Sequence, residues 1–283
     1  AGPADEHTLE TLMERIFETP EPIELYVELG KGSLQVTAGE VTSTTVSVTG
    51  RHADDVEIVH EGRKVAVLAP RSRGLFGEDS RLDVTVWLPT GSDLVTKTGS
   101  ANQTTRGTLG RARVKTGSGD LRFDTFTGEA TLESGSGDIS IEVVAELRIK
   151  SGSGDVGIDR AEGECGVSTG SGDISIGIAQ ATVLAKTGSG DLRIRVAHAD
   201  INFNGASGHL IIGEFHRGGL TAKNASGDIR IGVPGGIPIW TDLTTVTGRL
   251  TSNIEGAGEP TSGQDYIELR AKTASGDINL EQL

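Results

Sequence analysis

Cysteine is almost absent from this chain. With Cys165 as its only representative, no intramolecular disulfide framework can exist. Aromatic residues are equally scarce at 4%, so any core must be filled by Ile, Val, Leu and Ala. No run of about 18 apolar residues occurs, which removes a membrane-spanning helix from the expectations. The first residues also lack an apolar secretory segment. The sequence as given therefore reads as cytoplasmic, or as a cell-envelope protein if residues 1–12 stand in place of an export signal. Positive charge is short as well: 26 Lys and Arg face 40 Asp and Glu, leaving a net charge of −14. Such a surface repels phosphates, which argues against nucleic acid and against anionic lipid as partners. Phosphate-binding loops, nucleophile elbows between a strand and a helix, and His/Cys clusters are all missing. No enzyme and no cofactor are expected.

Glycine is abundant at 41 residues, and its placement is periodic. The stretch Thr169-Gly170-Ser171-Gly172-Asp173-Ile174-Ser175-Ile176 recurs in near-copies beginning at Thr116, Ser134, Ser151 and Thr187. Weaker copies follow around His209, Asp228 and Asp277. Between the marks Asp120, Asp138, Asp155, Asp173, Asp191, His209 and Asp228 the steps are 18, 17, 18, 18, 18 and 19 residues. Apolar residues stand one and three places after each mark, as in Ile139/Ile141, Val156/Ile158 and Leu192/Ile194. A second alternating pair follows, as in Cys165/Val167 and Ile201/Phe203. A lone filler sits between the pairs: Phe126, Val144, Ala161, Ala179, Ala197 or Phe215. Alternation of this kind specifies half-buried strands. A unit with two short strands is too small to bury its own apolar face, so the units must stack in register as a parallel β-solenoid. On this reading Cys165 is a core residue.

These tandem [ST]-G-S-G-D units, following strands that end at Leu88-Pro89, resemble the bacterial "putative adhesin" family of β-strand-repeat proteins. The resemblance covers roughly residues 24–283. It implies a β-helix and assigns no chemistry, because fold does not establish function.

Residues 1–12 precede the only methionine and read as a tag or linker, outside the fold. Residues 13–97 lack the 18-residue period and read as a β-rich, sandwich-like cap region. Within them Gly32-Ser33-Leu34 looks like a degenerate corner, and Gly62 between Ile58 and Val65 marks a hairpin. Arg71–Gly77 is an expected exposed basic loop. Residues 98–283 read as the solenoid. After Asp228 the period loosens, through the expected loop Gly256–Gln264, and Trp240 with Ile278-Asn279-Leu280 is expected to close the far end, since open coils invite edge pairing.

Four features are candidates for function. The column Asp120, Asp138, Asp155, Asp173, Asp191, Asp228 and Asp277 stacks carboxylates about 5 Å apart, which costs roughly 1 kcal/mol per pair in water. Backbone N–H groups of each residue's own Gly-rich corner would offset that, in an Asx-type turn. A row of calcium ions is the weaker alternative. Calcium takes 6–8 oxygens, and the nonapeptide calcium repeats separate Gly from Asp and recur every ~9 residues. Secondly, His198 and His216 fall on one column with Glu162 and Gln180, a potential zinc pair that two imidazoles do not complete. Thirdly, Ser140, Gly157, Ser175 and Gly177 form a flat strip of small outward residues beside Ile211. Such a strip suits a protein partner or a second copy of the chain, against the alternative of plain solvated surface. Lastly, the outward column from Arg122 to Arg230 lacks the carboxylate cluster that a polysaccharide-cleaving β-helix would need. The sequence thus points to a non-enzymatic interaction protein.

Overall fold

In a computed structural model of the chain, residues 11–70, 81–255 and 266–283 are described. The basic loop Arg71–Gly77 and most of residues 1–12 lie outside that set, as does the loop Gly256–Gln264. The protein is all-β, with one turn of 3-10 helix at Ala53–Asp55 as its only helix among the described residues. It divides into two compact units, residues 1–124 and 125–283.

The first unit holds β1 (Thr11–Glu18), β2 (Glu24–Gly39), β3 (Ser43–Gly50), β4 (Glu57–Glu61), β5 (Lys64–Leu68), β6 (Arg81–Pro89), β7 (Asp93–Arg106), β8 (Thr108–Leu109) and β9 (Ala112–Thr116). β10 (Leu121–Ser134) begins in it. Strand formation therefore starts at Thr11, two residues earlier than the sequence suggests, because Thr11 and Leu12 complete the ladder of β1 on Gly50 and Thr49. The long β2 alternates in two halves, with Leu25, Val27 and Leu29 buried before the bend at residues 30–33 and Leu34, Val36 and Ala38 buried after it, so the inward phase shifts by one residue at the bend. One edge of β2 pairs in parallel with β5 and β6, the other with β7. Ser33 of β2 falls opposite Asn102 of β7, so Gly32-Ser33-Leu34 is a coil corner. β3 then adds antiparallel to β6, and β1 adds antiparallel to the other edge of β3. β4 and β5 form the hairpin around Gly62, whose φ of 57° lies in the left-handed region.

The second unit continues with β11 (Ile139–Ser153), β12 (Val156–Ala161), β13 (Cys165–Ser171), β14 (Ile174–Ala179), β15 (Val183–Ser189), β16 (Leu192–Ala197), β17 (Ile201–Ser207), β18 (Leu210–Phe215), β19 (Gly218–Ser226) and β20 (Ile229–Val233). It ends with β21 (Ile239–Thr247), β22 (Leu250–Ser252), β23 (Ile267–Ser275) and β24 (Ile278–Gln282). Strands two apart in sequence pair in parallel, so two arrays of strands are stacked. The first runs from the opening half of β11 through β12, β14, β16, β18 and β20. The second runs from the closing half of β11 through β13, β15, β17 and β19. This is a parallel β-solenoid, and the apolar residues at one and three places after each mark are buried, as are the fillers. Cys165 is wholly buried, and burial pushes its thiol up to about 12.

Irregular steps fall in the turns between the arrays, which leaves both ladders in register. Ile139 pairs with Val156, 17 residues on, while Leu147 pairs with Cys165, 18 on. The missing residue is thus removed from the bend before Leu147. The extra residue of the 19-residue step sits in the turn before Leu220, where Gly218 takes a φ of 99°. Strands tolerate no such slip, because one residue of register would turn every buried side chain outward.

Stacking order departs from chain order at the end. β23 and β24 pair directly with β19 and β20, and β21 and β22 lie beyond them. The expectation that Ile278-Asn279-Leu280 closes the far end is therefore corrected. Ile278 and Leu280 are core residues inside the stack, while Trp240 lies on the outermost coil among the described residues. The chain runs past one coil position and then returns to fill it. The residues fit these places: the coil with strong inward residues is covered on both sides, and the one carrying Thr241, Leu250 and Ser252 inward is left half open.

Candidate functional site

The Asp column is a ladder of side-chain to backbone hydrogen bonds that runs along the stack. Oδ1 of Asp138 accepts the N–H of Asp155 at 2.9 Å, Asp155 that of Asp173 at 2.9 Å, and Asp173 that of Asp191 at 2.8 Å. Asp191 accepts from His209 at 2.7 Å, and Asp228 from Asp277 at 2.9 Å. In the first unit Asn102 does the same for Asp120 at 3.0 Å. The expected Asx turn within each corner is thus corrected: the acceptor serves the next coil in the stack, 17 or 18 residues on from Asp138 to Asp191 and 49 on from Asp228, because the carboxylate leans along the stacking direction. Within a corner it is the buried Ser or Thr that accepts, as in Gly119 N–H to Thr116 Oγ1 and Gly137 N–H to Ser134 Oγ, both at 3.1 Å.

Both exceptions to Asp fit this geometry. His209 presents Nδ1 to the N–H of Asp228 at 3.0 Å, so its ring stands in for a carboxylate oxygen. Arg249 donates its own N–H to Asp277 at 2.8 Å and is asked for no acceptor, because no described coil lies beyond it.

The corner itself requires glycine. At Gly172 and Gly190 φ is 149° and 155°. A Cβ there would stand 2.2 and 2.1 Å from the carbonyl oxygen of the corresponding glycine one coil back. No other residue fits both the backbone conformation and that approach.

Repulsion along the column is further offset by arginines of the outward column. Arg193 bridges two marks, with Nη1 2.7 Å from Asp173 Oδ2 and Nη2 on Asp191 Oδ2. The N–H of Asp191 and the Arg193 guanidinium together hold Asp173 below the usual carboxylate range. Arg122 and Arg230 lie 3.7 and 3.8 Å from Asp120 and Asp228. At Asp173 and Asp191 both carboxylate oxygens are thus engaged, Oδ1 by a backbone N–H and Oδ2 by the Arg193 guanidinium.

His198 and His216 stack as the register requires, with ring centroids 4.8 Å apart. Burial, with His216 and Arg217 beside it, pushes the His198 imidazole below its ordinary value. His216 Nε2 lies 3.0 Å from Glu214 Oε2. Among the described residues, no group of three His, Cys, Asp or Glu side chains is placed to hold a metal ion.

The strip of small residues falls on the outer face of the first array. Ser140, Gly157, Ser175, Arg193 and Ile211 form one column across β11, β12, β14, β16 and β18. Beside it runs Asp159, Gly177, Arg195 and Gly213. Gly157, Ser175, Gly177 and Ile211, with both arginines, line an open trough of about 330 Å³. Gly177 and Gly213 are dictated by the fold, since a Cβ would meet the carbonyl oxygens of Asp159 and Arg195 at 2.4 and 2.7 Å. Gly157 is not: the nearest atom to a Cβ there is 3.9 Å away. Arg195 was not singled out by its sequence position, although it alternates with Arg193 on one strand face. It is exposed and, among the described residues, has no ion-pair partner.

No helix among the described residues is long and apolar enough to cross a membrane. Solved structures align with nearly the whole chain. One is described as a "putative adhesin" from Parabacteroides distasonis (12% identity, 95% of this chain and 97% of the other, TM-score 0.37). A second, from the same organism, is described as a "putative lipid binding protein" (11%, 95% and 96%, TM-score 0.31). A third is a "putative cell adhesion protein" from Clostridium sporogenes (13%, 96% and 100%, TM-score 0.23). No curated protein matches the sequence. Residues 23–215 match one family over more than half the chain, and the protein belongs to that family, Toastrack DUF4097.

Proposed function

We propose that the protein is a non-enzymatic interaction scaffold that holds an extended, acidic segment of a partner protein in the trough on the outer face of the first array. The observation that carries this reading is Gly157. Nothing in the fold demands a glycine there, yet the missing side chain keeps the trough open beside Ser175. Arg195 supplies an exposed guanidinium for a partner carboxylate, whereas Arg193 is already held by two aspartates. Ile211 offers a half-buried apolar contact at one side. The trough crosses four strands, about 14 Å at the usual inter-strand spacing, which suits a short extended segment. Rigid repeat proteins use such side surfaces for binding.

A library of extended peptides carrying Glu or Asp, measured by fluorescence anisotropy against the whole chain, tests this. Binding lost in both Ser175→Tyr, which fills the trough, and Arg195→Glu would support it. A peptide-independent dimer in light scattering that Ser175→Tyr disperses would make a second copy the occupant. A monomer that binds no acidic peptide would overturn the reading.

A further inference from the structure

A second depression lies on the outer face of the second array, away from the trough just described. It encloses about 530 Å³ and is lined by His198, Asp200, Asn202, Arg217, Tyr266 and Glu268, over a floor formed by Gly218 and Gly219. The floor is fixed locally. Gly218 takes a φ of 99°, and the N–H of Gly219 donates to Asp200 Oδ1 at 2.8 Å. Arg217 is fixed as well, through Nε on the carbonyl oxygen of His198 at 2.8 Å.

Its charges balance. Arg217 and Asp200 both line it, one of each sign, and Glu268 is paired with Arg270 on the same strand. A site of this kind has no net attraction for an anion or a cation. An acyl chain is also poorly served, since these polar groups would lose water without gaining partners. What the site does offer is mixed donors and acceptors: the amide of Asn202, the hydroxyls of Thr182 and Thr221, and the free oxygens of Asp200 and Glu268.

Aromatic rings supply the other half of the chemistry. The chain has two Trp and two Tyr residues. Tyr26 is covered by the ammonium groups of Lys64 and Lys97, 4.7 and 5.5 Å from its centroid. Tyr266, by contrast, is 52% exposed at the rim of the depression. Trp240, 50% exposed, stands next to Glu268 in the β21–β23 register, with the Arg270 guanidinium 5.4 Å from its ring centroid. Tyr266, just before β23, and Glu268, its second residue, flank the buried Ile267 and both lie outward.

From this juxtaposition we infer that the depression is a binding site for a neutral saccharide. A pyranose presents C–H groups to an exposed ring and hydroxyls that donate and accept at once. An uncharged polyol of this kind matches a balanced, mixed polar site flanked by aromatics.

The test uses the whole chain with Trp87→Phe, so that indole emission reports Trp240 alone. Maltohexaose, cellohexaose and N-acetylchitohexaose are the neutral probes, with polygalacturonate as the anionic comparison. A saturable emission change with at least one neutral probe is expected, weakened at least tenfold by Tyr266→Ala and by Asn202→Ala and retained by Tyr266→Phe. Circular dichroism and the melting temperature confirm that each variant is folded. Ser175→Tyr, in the other trough, should leave the signal unchanged, which keeps the two readings separable. No saturable change with any neutral probe, a response to polygalacturonate alone, or full binding by the folded Tyr266→Ala variant would each overturn the inference.

Discussion

His209 accepts the backbone N–H of Asp228 through its ring nitrogen Nδ1 at 3.0 Å, in the place where every neighbouring coil uses a carboxylate oxygen. The corner therefore selects for an acceptor at a given reach, and charge is secondary. Asn102 makes the same point with an amide oxygen.

Replacing His209 by Asn should consequently leave the melting temperature almost unchanged. His209→Ala, which strands the N–H of Asp228, should cost about 1 kcal/mol. Chemical denaturation of the three proteins measures both. Equal losses for Asn and Ala would show that the ring contributes by packing and not as an acceptor.

The same logic separates the ladder from a calcium row. Asp155→Asn keeps the Oδ1 acceptor for the N–H of Asp173 and removes a charge from a repelling column. Its stability should equal or exceed that of the parent, while Asp155→Ala should lose about 1 kcal/mol. Adding calcium or a chelator should move neither melting temperature. A calcium-dependent rise that Asp155→Asn abolishes would restore the metal reading.

Asp173 is held below the usual carboxylate range by the N–H of Asp191 and by Arg193. Its contribution to stability is present above the unfolded-state value of about 3.9 and is lost as pH falls through the lower folded-state value. Arg193→Gln removes one of the two donors. Its acid-unfolding midpoint should move to higher pH, with little change near neutrality beyond a lost surface pair. Acid titrations followed by circular dichroism decide this, and coincident midpoints would refute the coupling.

Two glycines one coil apart should respond oppositely to alanine. At Gly172, φ is 149° and a Cβ would stand 2.2 Å from the carbonyl oxygen of Gly154, so Gly172→Ala should lose 2 kcal/mol or more, roughly the strain of a disallowed backbone plus the clash. At Gly157 the nearest atom is 3.9 Å away, and Gly157→Ala should be neutral or gain up to about 1 kcal/mol. A matching loss at both sites would mean that the outer face is more crowded than its geometry indicates.

How much of this was legible in the residues differs from element to element. The alternating pairs from Leu121/Phe123 to Ile229/Ile231, the fillers between them and the recurring Gly-Asp corner suffice to specify a parallel β-solenoid, because burial with a period of two and a fixed repeat length admits few other packings. Cys165 belongs to the same pattern. The small outward residues Gly157, Ser175 and Gly177 can be placed on one face from register alone.

Tertiary structure alone decided three things. Periodicity fixes how each coil is built but not its place in the stack, so the insertion of β23 and β24 between β19–β20 and β21–β22 appears only in the pairing. The partners of Asp138, Asp155, Asp173 and Asp191 lie 17 or 18 residues away and that of Asp228 lies 49 away, and spacing does not say whether a carboxylate bends into its own turn or toward the next coil. Nor does spacing reveal the depression at Tyr266, whose walls come from residues as far apart as Thr182 and Glu268. Local alternation dictates which side chains are buried within a coil. Which surfaces meet across coils depends on contacts remote in sequence, and a repeat written in one dimension does not record them.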